Sequence, residues 1–77
     1  MNVKIVHEGN NLYVLDMNEY PVMGRFDHPI FLTYGDLITY EEARRDIVKE
    51  TLRLGHVIQE IEGSTSLILS TIAYILK

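Results

Sequence analysis

Seventy-seven residues, 47% of them apolar, with no Cys and no Trp, describe one small domain whose core must hold by packing alone. The lack of Cys excludes a disulfide framework and a thiolate zinc site, and it is compatible with a reducing compartment. Eleven acids against seven bases give a formal charge of −4, which argues against a general binder of nucleic acid or anionic membrane.

Val3 to His7 is a β-branched run followed by the turn signal Gly9-Asn10-Asn11. Leu12 to Met17 is a second strand, with Tyr13 and Leu15 on one face and Val14 and Asp16 on the other. Together they predict a β-hairpin. Asn18-Glu19-Tyr20-Pro21 is the next turn, and Val22 to Phe26 reads as a third strand, weakened by Gly24 and placed at an edge by Pro21. Asp27-His28-Pro29 breaks the pattern. Ile30 to Tyr34 is then either a brief fourth strand or the approach to a helical turn capped by Thr33 and Asp36.

The longest periodic stretch runs from Thr39 to Gly63. Tyr40, Ala43, Ile47, Thr51, Leu54, Ile58 and Ile61 recur at steps of three or four, the spacing of one helical face. Thr39 with Glu42 makes a capping box, and Gly63 is a natural stop. A rival layout ends the helix at Leu54, uses Gly55 as its C-terminal cap, and pairs Val57–Glu62 with Leu67–Leu76 as a closing hairpin. The stripe that continues through Ile58 and Ile61 favours the long helix. Leu67 to Leu76 lacks alternation and reads as a second helix, with Ser64-Thr65-Ser66 before it as caps or a turn. The predicted fold is α+β over residues 1–77: a small N-terminal antiparallel sheet, hairpin or three-stranded meander, covered by one long helix and an apolar C-terminal segment.

Catalytic motifs are lacking. His7, His28 and His56 stand far apart, outside any metal-ligand spacing, and Ser64, Ser66 and Ser70 belong to no nucleophile elbow. Gly63 to Ser66 has the composition of a phosphate loop without its lysine or glycine spacing, so helix capping accounts for it better. The expectation is therefore a protein without catalytic activity, metal or cofactor.

Binding is the reading that remains. Arg44, Arg45, Lys49 and Arg53 gather four of the seven bases into ten consecutive residues, and His56 lies beyond them with Glu60 one helical turn later. The ordinary account of this row is a solvated face balanced by Glu41, Glu42, Asp46, Glu50 and Glu60; as a contact it would meet an acidic protein surface or, as the second reading, phosphates of a nucleic acid. Five tyrosines suit a contact surface and a half-wet small core equally well. If the C-terminal segment is helical, Leu67, Ile68, Ile72, Tyr74, Ile75 and Leu76 surround it on nearly all sides, and some must stay uncovered on a monomer. They mark an interface for a homo-oligomer, with a two-fold dimer the commonest form. The segment is too short to span a bilayer, and the alternating start Met1-Asn2-Val3-Lys4-Ile5 does not read as a signal peptide. The function expected is a small, acidic, cytoplasmic protein-interaction module, a regulator or inhibitor, or a small subunit of a larger assembly.

Overall fold

A computed structural model describes residues 1–77. Strands β1 (Asn2–Glu8) and β2 (Asn11–Asp16) form the predicted hairpin, closed by the two residues Gly9 and Asn10. The short strand β3 (Phe31–Thr33) adds antiparallel to β2. Helix α1 (Tyr40–Arg53) crosses one sheet face, β4 (Val57–Glu62) joins β1 in parallel, and α2 (Thr65–Leu76) packs beside α1. The four-stranded sheet has the order β3-β2-β1-β4, and the class is α+β.

Alternation in the hairpin decides which side is the core. Val3 and Ile5 of β1 face the helices with Leu12 and Val14 of β2, and all four are fully or almost fully buried. Ala43, Ile47 and Val48 of α1 and Ile68 of α2 close on them from above. Burying each larger side chain of this set contributes roughly 1.5–3 kcal/mol. The buried hydroxyl of Thr51 is satisfied within α1, donating to the Ile47 carbonyl at 2.7 Å.

Helix α1 starts as expected: the Thr39 hydroxyl accepts the Glu42 amide at 3.1 Å. It stops at Arg53, well short of the Gly63 stop that the long-helix reading requires. The His56 amide donates to the Thr51 carbonyl and the Gly55 amide to the Leu52 carbonyl, at 3.2 and 3.0 Å, which is the Schellman pattern. Gly55 has φ +82°, a conformation that costs an L side chain roughly 1–2 kcal/mol. This end and β4 agree with the rival layout, whereas residues 67–76 are helical and do not form its closing strand. Leu54 is consequently a cap residue, 41% exposed, and not a core side chain.

The stripe misled for a definite reason. Between Val3↔Ile58 and Lys4↔Glu60 the β1–β4 register shifts, so Gln59 is an extra residue in β4. A bulge of this kind makes residues three apart share a face. Ile58 and Ile61 therefore both point towards the helices from a strand, at a spacing that resembles a helix.

The segment between β2 and β3 also departs from expectation. Val22–Phe26 is no full strand: Leu15 bridges Pro21 and Met23 bridges Pro29, with a 3₁₀ turn over Arg25–Asp27 at the tip. Two prolines deny the ladder its donors, so pairing reduces to a few bonds. Among them, the Val22 amide donates to the Val14 carbonyl and the Ile30 amide to the Val22 carbonyl, both at 3.0 Å. The strand that does form is in the Ile30–Tyr34 stretch. No helix is long and apolar enough to cross a membrane.

Candidate protein-interaction surfaces

The basic row is split by the packing of the two helices. Arg44 is half-buried: its Nε donates to the Thr71 hydroxyl at 2.8 Å, and its guanidinium lies 4.8 Å from the Tyr40 ring centroid. Thr71 in turn donates to the Leu67 carbonyl at 2.9 Å. Arg44 therefore helps fasten α1 to α2. Arg45 pairs with Glu41 at 3.0 Å and reaches over Tyr74, while Lys49 and Arg53 are exposed. A shallow cavity of about 230 Å³ between the helices is lined by Arg44, Arg45, Ser70, Thr71 and Tyr74, but Glu41 sits in it too and cancels part of the positive field. His56 is not on the helix at all. It lies in the turn before β4, with Nδ1 3.5 Å from the Met1 amino group, and the helical pairing with Glu60 does not exist. Desolvation, then the neighbouring Met1 ammonium, hold its pKa below the ordinary 6.5.

Helix α2 divides the residues expected at an oligomer contact. Ile68 is fully enclosed in the chain's own core, with Ile72 and Ile75 packed partly against it. These three belong to the fold and not to a surface. Leu67, Tyr74 and Leu76 are exposed, as is Leu69. Between Thr65 and Leu76 there is no charged residue.

Ser64 does not cap α2 with its side chain. Its hydroxyl instead lies 2.9 Å from His7 Nδ1 and bonds to the Tyr40 hydroxyl, and His7 Nε2 lies 2.7 Å from the Tyr34 hydroxyl. The directions follow from one fixed donor. Tyr34 donates to the Gly9 carbonyl at 3.0 Å, so its oxygen accepts Nε2–H, leaving Nδ1 to accept from Ser64 and Tyr40 to donate to Ser64. The His7 ring also stacks on Tyr40 with centroids 4.7 Å apart. Gly63 lies against this knot, where an added Cβ would stand 2.5 Å from the His7 carbonyl oxygen. The serine–histidine spacing fits an activated nucleophile in distance alone. A phenol, not a carboxylate, orients the ring, Tyr40 holds the other side of Oγ, and none of the three surface cavities is lined by Ser64. The cluster ties the end of β1 to the starts of α1 and α2.

The surface that sequence reasoning missed is the sheet face turned away from the helices. Tyr13 and Phe31 face each other across β2 and β3 and stack with centroids 5.8 Å apart. Phe31 is 50% exposed. Around them an apolar depression of about 470 Å³ is lined by Tyr13, Val14, Leu15, Pro21, Pro29, Ile30 and Phe31. Val6 lies next to Tyr13 in the register and is almost completely buried on this side. The surrounding charges are acidic. Lys4 meets Glu19 at 3.2 Å and Glu62 at 3.9 Å; the hydrogen bond to Glu19 raises its pKa most, against some desolvation, with the fields of Glu19, Glu62 and Glu60 adding to the rise. Tyr13 is pushed above its ordinary value of 10 by desolvation and then by Glu8 and Glu62. The signal lay in β2 itself: Leu12 and Val14 on one face, Tyr13 and Leu15 on the other, make a strand apolar on both sides.

No family model matches the chain, and no solved structure matches it. A stretch of 45 residues, 58% of the chain, is 36% identical to the transcription activator of gluconeogenesis ERT1-2 of Yarrowia lipolytica, of which it covers 8%. The chain is therefore similar to a small part of a much longer protein.

Proposed function

We propose that this protein is a small, acidic, cytoplasmic interaction module without catalytic activity, which regulates or inhibits a partner protein or serves as a small subunit of its assembly. The observation that carries this reading is the uncovered, half-apolar sheet face around Tyr13, Leu15 and Phe31. A solvated sheet face normally alternates to polar residues on its outer side, and a contiguous apolar area there marks a contact. The short likeness to a transcription activator fits a regulatory role. Nucleic-acid contact through the basic row receives less support, since Arg44 and Arg45 already have partners within the chain.

The uncharged outer side of α2 favours a second contact, with another copy of the chain. Leu69 and Leu76 stand seven residues apart, with Ser66 before them and Ala73 between them, a heptad-like seam that a two-fold pair could close without like-charge repulsion. Affinity capture from the native cell tests the module, using the wild type, Tyr13→Ser with Phe31→Ser, and Lys49→Gln with Arg53→Gln. The expected partner is lost with the first pair of substitutions and retained with the second; the reverse pattern would move the contact to α1. Light scattering at micromolar concentration tests the dimer, with Leu69→Glu and Leu76→Glu expected to release monomers. A wild-type monomer mass would remove the α2 contact.

A further inference from the structure

We propose that the open sheet face binds a partner segment rich in Lys or Arg that also carries an aromatic or aliphatic anchor. The proposal rests on the interaction-module reading and adds the chemistry of the partner.

Two observations meet on this face. The first is the anchor site: the Tyr13–Phe31 stack beside a depression walled by Leu15, Pro21 and Pro29, large enough for one bulky side chain. The second is the charge around it. Glu8, Glu60 and Glu62 are exposed on the same face, and Glu19 reaches it through Lys4, so four carboxylates share one base. Lys4 is already engaged by Glu19 and Glu62, and Glu8 and Glu60 have no ion-pair partner in the chain. A face with surplus negative charge repels nucleic acid, anionic membrane and the same face of a second copy. It attracts a basic segment, and the apolar centre then supplies the contact area that charge alone does not. Aromatic rings at the centre also favour guanidinium groups stacked on their faces.

The position of β4 adds a route for such a segment. It is an edge strand with one side unpaired, and its Glu60 and Glu62 project onto the open face. An extended basic peptide lying across the open face from this edge would set Lys or Arg over these carboxylates and its anchor against Tyr13.

The experiment is selection from a random heptapeptide display library against the full 77-residue chain, followed by titration of the enriched peptides into labelled protein. The expected peptides combine Lys or Arg with Trp, Phe, Tyr or Leu. Their affinity falls about tenfold for Glu60→Gln with Glu62→Gln and at least as much for Phe31→Ser. It also weakens steeply as salt rises from about 50 to about 500 mM. All three changes lie at exposed side chains, and circular dichroism verifies that each variant folds. Peptides that are acidic or uncharged, or that bind these variants unchanged, overturn the proposal. If such peptides are instead lost with Leu69→Glu on α2, the module reading stands and the sheet-face proposal alone falls. A library that yields no enrichment overturns both.

Discussion

Neighbouring residues on α2 should respond very unequally to the same truncation. Ile68 is 0% exposed and sits in the main core cluster, whereas Leu69, one residue on, is 54% exposed. Ile68→Ala removes the transfer energy of the lost methyl and methylene groups and opens a cavity under α1, for a cost of roughly 2–5 kcal/mol. Leu69→Ala should stay within about 0.5 kcal/mol on the monomer, as surface changes do. For a domain of this size each kcal/mol moves the melting temperature by about 4–8 °C, so the first variant should melt roughly 8–40 °C lower. Its stability should be measured by urea titration followed by far-ultraviolet circular dichroism. A lower midpoint with an unchanged slope would attribute the loss to the native state and not to residual structure in the unfolded chain. Equal midpoints for the two variants would refute the placement of α2, because they would mean that the sheet and α1 do not distinguish the two side chains.

Other substitutions test the ends of the helices. Gly55 and Gly63 both have φ +82°, so Ala at either carries roughly 1–2 kcal/mol of backbone cost, but only at Gly63 would the new Cβ meet a backbone atom, the His7 carbonyl oxygen. Denaturant titration should therefore find Gly63→Ala the more destabilised, and equal losses would contradict the packing of that turn against β1. Thr39→Ala should cost about 0.5–2 kcal/mol through the lost cap on Glu42, read by the same titration, and no change would remove the cap. The lowered pKa of His56 sets a sign: below pH 6.5 the unfolded chain binds its proton before the folded chain does, so stability falls as pH drops from there through the folded value. Melting temperatures at about pH 7.5 and about pH 5.5 should thus drop further for the wild type than for His56→Gln, and identical drops would show that His56 is not desolvated when folded.

The hairpin, the start of α1 and the helical state of residues 65–76 were legible because each rests on local chemistry: alternation, a capping threonine and an uninterrupted apolar run. The strand β4 was not, because its bulge at Gln59 spaces Ile58 and Ile61 as a helix would. Gly55 carried the opposing signal, and a single residue was outweighed by a stripe of seven. The basic row was visible as composition, but its division depended on α2: nothing local to Arg44 announces Thr71 as its partner, 27 residues away. The His7 cluster was hidden for the same reason, since β1, α1 and the turn before α2 meet only when the sheet is complete. The open sheet face was half legible. Tyr13 and Leu15 could be assigned to one side of β2, yet which side the helices would cover is settled by Val3 and Ile5 across the hairpin.

If the protein works through its open sheet face, its contacts in the cell form there. A photo-crosslinking residue placed at Phe31, and separately at Asp46 on the exposed side of α1, tests it inside the native cell. A discrete adduct is expected from position 31 and none from position 46, with the crosslinked peptide carrying Lys or Arg beside the point of attachment. An adduct from position 46 alone, or an attached peptide that is acidic, would contradict it.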